Sequence, residues 1–136
     1  MKKIFSILII CLLLAGCFNH KLFYLDDEYY GNNLLIEIDS KDFNRLEKEN
    51  KTYVVFVHMP SCIASIDFYQ VIVDFLEEYN LSFYQISWSD IKGTSLDNHL
   101  KYYPSIAIYK NGKMIDYLEA DREEDLPRYK TVDGFK

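Results

Sequence analysis

The sequence predicts a three-layer α/β fold, in which a mixed central sheet of four to five strands has helices on both faces. An apolar run from Tyr53 to Val57 is typical of a strand that is buried on both sides of a sheet. From Ile63 to Tyr79 the apolar residues recur three and four apart, which is the period of a long helix. Asn111-Gly112 separates two further apolar runs and predicts that the sheet ends in an antiparallel hairpin.

The first residues have the pattern of an export signal rather than of a folded element. Lys2 and Lys3 are followed by an apolar core, Ile4 to Leu14, and then by small residues. The sequence Leu14-Ala15-Gly16-Cys17 resembles the lipobox of bacterial lipoproteins, which implies cleavage before Cys17 and acylation of that residue. A spanning helix is disfavoured because it needs about 20 apolar residues. A plain secretory peptide is the other alternative.

The chain therefore divides into a lipoprotein signal peptide (1–16), a connector (17–33) and one domain (34–136). A lipid on Cys17 predicts attachment to the extracytoplasmic face of the cell membrane. The connector is too apolar for a solvated tether. Its apolar residues include Leu22, Phe23, Tyr24, Leu25, Tyr29 and Tyr30. It packs on the domain, meets a partner or meets the membrane surface, and we favour packing on the domain.

The composition is that of an ordinary globular domain, with 49% hydrophobic and 26% charged residues. After removal of the signal peptide, the length suits one small domain. The net charge of −6 is unfavourable for contact with phosphate backbones, so we expect no nucleic-acid partner. Membrane attachment would then depend on the lipid rather than on charge.

The cysteine count leaves one free thiol in the mature chain. Cys11 lies in the discarded segment and Cys17 would carry lipid, so only Cys62 remains and no internal disulfide is expected. In an oxidising compartment, a lone thiol is either buried and inert or reactive towards a partner outside the chain. We expect neither a metal site nor another cofactor, because one cysteine and three scattered histidines lack ligand spacing. The histidines are His20, His58 and His99.

The first half of the domain is predicted to alternate strands and helices. Gly31-Asn32-Asn33 is a turn signal, and the first strand is predicted from Leu34 to Ile38. Asp39 and Ser40 are candidate N-caps for a helix that continues to about Asn50. The buried strand and the long helix follow. The apolar stripe of that helix consists of Ile66, Tyr69, Ile72, Val73, Leu76 and Tyr79, with Phe68 and Phe75 beside it.

The second half continues this alternation until the hairpin. A third strand is predicted over 81–88 and a short helix over 95–102. The hairpin strands are predicted over 105–109 and 114–118, on either side of Asn111-Gly112. The tail begins with a possible capping box at 121–124, and Pro127 would interrupt any helix that continues from it. A short or irregular final helix with one apolar face is expected, carried by Leu126, Tyr129, Val132 and Phe135.

Cys62 stands where the buried strand passes into the long helix, and Ser65 follows it by three residues. A helix N-terminus favours a thiolate over a thiol. Together with Tyr103-Pro104 at the start of a later strand, this arrangement resembles the thioredoxin superfamily over Leu34 to Glu119. The resemblance implies that Cys62 is the nucleophile and that Pro104 forms a cis bond facing it.

The same resemblance implies that an extended client pairs with the backbone beside the proline. Tyr102, Tyr103 and Ser61 would then contact the client. For the two tyrosines, plain packing at the rim is the alternative. Two residues weaken the case for a tuned nucleophile: Phe56 stands where the family often has a buried acidic residue, and Asp67 adds negative charge near Cys62.

The sequence departs from the dithiol members of the family at Ser65, because a hydroxyl cannot resolve a mixed disulfide. Any adduct on Cys62 would have to be released by an external thiol. Ser65 either donates a hydrogen bond to the Cys62 thiolate or is a plain serine of the first helical turn. His58 either carries a proton for the site or is a strand-end histidine bonded to the backbone.

Two functional hypotheses follow. The first is a membrane-anchored, extracytoplasmic, monothiol thioredoxin-like protein that forms mixed disulfides with a protein client or a low-molecular-weight thiol. The second is a non-catalytic accessory or binding lipoprotein that keeps the fold, for example in secretion or bacteriocin export. An accessible thiol at Cys62 favours the first hypothesis, and a packed-in thiol favours the second.

Overall fold

The computed structural model describes residues 23–120 and 125–136. The predicted signal peptide, the predicted lipidation site Cys17 and the possible capping box at 121–124 lie outside the described residues. The strands are β1 (Leu35–Glu37), β2 (Tyr53–His58), β3 (Phe83–Ser87), β4 (Ser105–Lys110) and β5 (Lys113–Glu119). The helices are α1 (Ser40–Leu46), α2 (Ile63–Tyr79), α3 (Ser95–His99) and α4 (Val132–Phe135), with 3-10 turns at Asp27–Tyr29 and Leu126–Tyr129.

The five strands form one mixed sheet in the order β1-β3-β2-β4-β5. β3 is parallel to both β1 and β2, whereas β4 is antiparallel to β2 and to β5. This arrangement confirms the predicted fold class, including the antiparallel hairpin at the end of the sheet. β2 lies at the centre and is buried over Tyr53 to Val57, as the apolar run predicts.

Two helices end earlier than the sequence predicts. The side chain of Asp39 caps α1 by accepting a hydrogen bond from the Asp42 backbone N–H (2.8 Å), but the helix ends at Leu46 rather than near Asn50. Helix α3 ends at His99 rather than near residue 102. The Leu100 N–H still bonds to the Leu96 carbonyl (2.8 Å), but the N–H groups of Lys101 and Tyr102 bond to a side-chain carboxylate described below, so they do not continue the helix.

The buried face of α2 differs from the predicted stripe. Ile72 and Leu76 are buried as expected, but Ile66 and Tyr69 are exposed. The buried set is Ser65, Phe68, Val71, Ile72 and Leu76. Apolar residues surround much of this helix, so the helical period alone left two faces available. The edge-to-face contact between Phe68 and Phe56 of β2 (5.8 Å between centroids) marks the face that packs on the sheet.

The opposite face of the sheet carries a cluster of tyrosines. The rings of Tyr53 and Tyr109 are stacked with 4.9 Å between centroids, and Tyr84 meets Tyr53 edge-on at 5.9 Å. Tyr29 of the connector joins this cluster through a hydroxyl–hydroxyl hydrogen bond of 3.1 Å to Tyr84. Leu25 is also buried. The described part of the connector therefore packs on the domain, as favoured above.

The hairpin and the tail complete the fold. Asn111 and Gly112 both have positive φ (53° and 71°), as a type I′ turn requires. A Cβ atom on Gly112 would collide with the backbone carbonyl of Glu47, so the turn also fits closely against the segment after α1. The tail is short and irregular, as expected, and Phe135 packs against Phe75 of α2 (4.7 Å between centroids). Within 23–120 and 125–136, the helices fall short of the length and apolarity that a membrane crossing requires.

The hydroxyl of Tyr53 provides a test of the core. It is buried without a hydrogen-bond partner among the described residues, whereas the hydroxyl of Tyr109 bonds to Ser95 Oγ (3.1 Å). Burial raises the pKa of Tyr53, so the phenol stays neutral. We expect Tyr53→Phe to raise the free energy of unfolding by about 1 kcal/mol, and Tyr109→Phe to lower it by about the same amount.

Urea denaturation of the two variants and the wild type measures both changes. If Tyr53→Phe were as destabilising as Tyr109→Phe, the Tyr53 hydroxyl would have a partner, and this account of the core would be wrong.

Candidate functional site

Cys62 is the residue that caps the N-terminus of α2. Its backbone is extended (φ −96°, ψ 123°), and its carbonyl accepts a hydrogen bond from the Ile66 N–H (3.1 Å). The thiol is free and only partly buried. It lies next to the first backbone N–H groups of a 17-residue helix, where an anion is favoured.

Pro104 lies close to this helix start because of the pairing between β2 and β4. In that pairing Val57 is opposite Ser105, which places the preceding proline beside the end of β2. The Tyr103–Pro104 peptide bond is cis, as the resemblance implies. Pro104 lines a cleft of about 400 Å³ together with Ala64 and Asp67 of the first turns of α2. We call this cleft the thiol cleft because it begins two residues after Cys62, at Ala64; Cys62 itself does not line it, and its other walls are Ala120, Tyr129 and Lys130.

Ser65 is buried in the first turn of α2. Its hydroxyl oxygen accepts a hydrogen bond from the backbone N–H of Met59 (3.0 Å). Within the described part of the chain, no hydrogen bond joins Ser65 to the Cys62 thiol. Of the two roles considered for Ser65, the geometry therefore shows a serine that ties the loop before Cys62 to the helix. Its hydroxyl proton is not used in this bond.

His58 ends β2 and points to the side of the sheet that α2 covers. Its Nε2 atom is buried without a hydrogen-bond partner, and the nearest carboxylate oxygen is that of Glu37 at 3.8 Å. At that distance the two groups attract each other only when the imidazole is protonated, and they do not form a hydrogen bond. The ring packs on Phe56 with 5.6 Å between centroids. No described contact links His58 to Cys62, so the structure supplies no proton path between them.

The predicted client-contact residues differ in their surroundings. Ser61 and Tyr102 are exposed, whereas Tyr103 is partly buried and its ring lies 6.5 Å from that of Trp88. Burial, with the charges of Asp97 and Glu119, raises the pKa of Tyr103. This phenol is therefore neutral at physiological pH, and it adds no negative charge beside the thiol.

Three exposed apolar residues near Cys62 were not predicted as site residues. Ile63 and Ile66 of α2 are 76% and 59% exposed, and Trp88 follows the end of β3. The Trp88 N–H bonds to the His58 carbonyl (2.8 Å), which fixes its backbone next to the end of β2. The sequence placed Ile66 in the buried stripe, so this exposure became visible only with the packing of α2. Ile63 and Ile66 are three residues apart on α2, and large apolar side chains exposed side by side are typical of contact surfaces.

Glu119 is a further residue that the sequence analysis missed. Its carboxylate is buried and accepts hydrogen bonds from the backbone N–H groups of Lys101 (2.6 Å) and Tyr102 (3.3 Å). The Ser105 hydroxyl donates to the Tyr102 carbonyl, and the Ala120 N–H donates to the Pro104 carbonyl (3.1 Å). The last residue of β5 thus holds the loop that carries the two tyrosines and the proline. The only signal in the sequence was an acidic residue at the end of a strand that also contains Asp116.

Substitution of Glu119 tests whether its carboxylate holds the loop that carries Tyr102, Tyr103 and Pro104. We expect Glu119→Ala to accelerate amide hydrogen exchange at Lys101 and Tyr102 and to lower stability by about 1 kcal/mol, because two N–H groups in partly buried hydrogen bonds lose their acceptor. Glu119→Gln retains an acceptor oxygen and should show a smaller effect. Glu77→Ala, which removes an exposed carboxylate from α2, is the control.

Hydrogen exchange followed by mass spectrometry measures these amides directly. If these two amides exchanged in Glu119→Ala at the same rate as in the wild type, the carboxylate would not hold the loop.

No cation in the first turn of α2 offsets the negative charge of Asp67, which lines the thiol cleft. Phe56 is fully buried, so no acidic side chain occupies that core position. Across 23–120 and 125–136, no three His, Cys, Asp or Glu side chains are grouped closely enough to hold a metal ion.

Comparison with known families and with curated protein sequences gives no match. Solved structures are similar in fold. A chain in the complex of ferredoxin:thioredoxin reductase with thioredoxin f2 has 18% identity and a TM-score of 0.57, covering 71% of this chain and 91% of its own. Thioredoxin O1 from Arabidopsis thaliana in its oxidised state has 14% identity and a TM-score of 0.54, with coverages of 68% and 90%. Thioredoxin f2 from Chlamydomonas reinhardtii has 18% identity and a TM-score of 0.52, with coverages of 62% and 82%.

These similarities show that the chain has the thioredoxin-like α/β fold. At identities below 25% they show the fold alone, and the chemistry has to be argued from the residues of this chain.

Proposed function

We propose that this protein carries out monothiol thiol–disulfide exchange through Cys62. The observation that carries the proposal is the position of a free, partly exposed thiol at the N-terminus of α2, beside a cleft that Pro104 lines. The structural neighbours with a thioredoxin fold support the same class of chemistry. No second thiol stands in the described residues, so the reaction has to use a thiol from outside the chain.

The exchange proceeds in two displacements. The Cys62 thiolate attacks one sulfur of a client disulfide, an S–S bond forms between Cys62 and the client, and the other client sulfur leaves as a thiolate. An external thiolate then attacks the mixed disulfide and restores Cys62. The number of disulfide bonds is conserved in each step. A thiol supplied by a small molecule or by another protein becomes joined to the client, and Ser65 takes no part in the electron transfer.

The surroundings of Cys62 suit an extended, apolar client segment. Ile63 and Ile66 lie exposed on one side of the thiol, and Tyr102 is exposed on the loop before Pro104. This loop is fixed by the hydrogen bonds that Glu119 accepts, so it is preorganised before a client arrives. We propose that the backbone beside Pro104 pairs with the client, and that Tyr102, Tyr103 and Ser61 contact its side chains.

We further propose that the protein is anchored through lipid on Cys17 to the extracytoplasmic face of the membrane. Five residues lie between Cys17 and Phe23, and the six steps from one to the other span at most about 20 Å. Tyr30 of the connector pairs with Leu81, just after the end of α2. The 17 residues of α2 separate that end from Cys62 by about 25 Å. An anchor at Cys17 would therefore leave the thiol on the side facing away from the membrane.

The exchange reaction is tested by adduct formation on the full chain. With a small aromatic disulfide we expect one adduct on Cys62, formed at the same rate in water and in urea below the unfolding transition, because the thiol is partly exposed. The adduct should persist until an external thiol is added. Cys62→Ser is the control, since the chain has two other cysteines. Intact-mass spectrometry with peptide mapping measures the adduct and its position.

A second variant tests what a resolving cysteine at position 65 would do. Ser65→Cys should shorten the lifetime of the adduct and leave a disulfide between positions 62 and 65. A thiol that reacts only after unfolding, in both wild type and Ser65→Cys, would rule out the proposed reaction.

The anchor is tested separately by metabolic labelling with an alkyne fatty acid in a bacterial host. We expect the wild-type chain to be labelled and to sediment with membranes, and Cys17→Ala to be unlabelled. Equal labelling of Cys17→Ala and wild type would contradict the proposal. Cys62→Ala is the matched control, because it removes a thiol outside the lipobox.

A second candidate function is non-covalent binding of a partner, as in an accessory lipoprotein of secretion or bacteriocin export. The exposure of Ile63 and Ile66, three residues apart on α2, favours it. The two functions are distinguished by Cys62→Ser, which removes exchange but leaves this apolar surface intact.

A further inference from the structure

A second cleft lies at the other end of α2, remote from Cys62. It has a volume of about 450 Å³ and is bounded by the sheet, by the second half of α2, by the connector and by the tail. Phe75 and Tyr79 contribute from α2, and Phe23 and Phe135 from the connector and tail. We call it the distal cleft. None of the proposed site residues lines it.

The floor of the distal cleft is formed by buried apolar side chains of the sheet. Val54, Phe83 and Ile106 line it and are only 6%, 4% and 1% exposed, so the cleft is deep rather than a surface patch. Ile108 and Leu118 extend this floor towards the β5 edge. The floor offers no side-chain hydrogen-bond donor or acceptor. Its occupant is therefore expected to be hydrocarbon where it contacts the floor.

The size and polarity of the distal cleft disfavour two common occupants, an extended peptide and a docked helix. An extended peptide would bring backbone N–H and C=O groups that this floor does not satisfy. A docked helix satisfies its own backbone, but one turn with side chains, roughly 10 Å across and 5.4 Å long, fills on the order of 400 Å³. The cleft thus accepts about one helical turn, and the rest of a docked helix would lie outside it. A single hydrocarbon chain is narrow enough to enter.

The charged residues that line the distal cleft determine which polar group a bound hydrocarbon chain should carry at its end. These are Asp116, Arg128 and Lys136. The Lys136 ammonium group is already paired with Glu78 (2.9 Å) and Asp133 (3.0 Å). Arg128 has no carboxylate partner among residues 23–120 and 125–136, and its guanidinium group presents two parallel donors that match a carboxylate. Asp116 accepts a hydrogen bond from the Tyr117 N–H (2.8 Å), and its negative charge opposes an anion nearby. Arg128, with no carboxylate partner among the described residues, is the cation at the edge of the cleft that fits an anionic head group.

We propose that the distal cleft binds one long-chain fatty acid taken up from the surrounding lipid, with its carboxylate at Arg128 and its hydrocarbon chain against Val54, Ile106 and Phe75. The binding involves no covalent step. It uses none of the proposed thiol-site residues, although the tail lines both clefts, with Arg128 in the distal cleft and Tyr129 and Lys130 in the thiol cleft. The occupant is a free fatty acid rather than the acyl chain attached to the protein itself.

The test uses the full chain in phosphatidylcholine nanodiscs and two photoactivatable probes, a diazirine palmitic acid and the matching diazirine alcohol. We expect the acid to label peptides from β4, β5 and the second half of α2, and to be displaced by unlabelled palmitate. Arg128→Glu should reduce labelling by the acid about fivefold, while labelling by the alcohol stays unchanged. Lys130→Glu makes the same charge change on a residue outside the distal cleft and should match the wild type.

A second variant, Ile108→Trp, narrows the cleft and should reduce labelling by both probes. Labelling spread evenly over the chain, or an equal fall for acid and alcohol in Arg128→Glu, would overturn the proposal. If the wild type were unlabelled but Cys17→Ala labelled, the protein's own acyl chain would be the occupant, and the proposed source of the ligand would be wrong.

Discussion

The pairing of β2 with β4 is the interaction on which the site depends. β2 is buried and is held by parallel β3 on one side and antiparallel β4 on the other. Because Val57 is opposite Ser105, the loop before β4 has to end beside the start of α2. One register thus sets the relation between Cys62 and Pro104, which are 42 residues apart in the chain. A shift by one residue would turn the side chains of the buried strand to the wrong faces and separate the two halves of the site.

Each half of the site is then held by hydrogen bonds that backbone N–H groups donate to a side chain. Ser65 accepts from the Met59 N–H and fixes the loop before Cys62. Glu119 accepts from Lys101 and Tyr102 and fixes the loop before Pro104. In the proposed exchange reaction, this rigidity would keep the segments on both sides of the site in place before a client arrives. His58 is directed towards Glu37 instead, so the proton-carrier role considered from the sequence has no geometric support.

The two ends of α2 present different surfaces. Around Cys62 the apolar side chains are exposed and polar backbone is close by, which suits a peptide. At the far end, apolar side chains of the sheet form a buried floor. The charged residues that line the cleft are Asp116, Arg128 and Lys136, and none of them belongs to this floor. The short tail accounts for this difference, because α4 has only four residues and packs beside Phe75 of α2 without filling the space over β4 and β5. The abundant tyrosines fill the opposite face of the sheet, where Tyr53 and Tyr109 stack.

The sequence by itself determined the fold class, the buried strand, the long helix, the hairpin turn and the position of Cys62, because each depends on local periodicity or on turn chemistry. It did not determine which face of α2 is buried. Several apolar residues follow the helical period, and contact with Phe56 selects Phe68 and leaves Ile66 exposed. The roles of Ser65 and Glu119 also required the tertiary structure, since a hydrogen bond between distant segments leaves no periodic signal. The distal cleft arises from space between four packed segments, which no single stretch of sequence encodes.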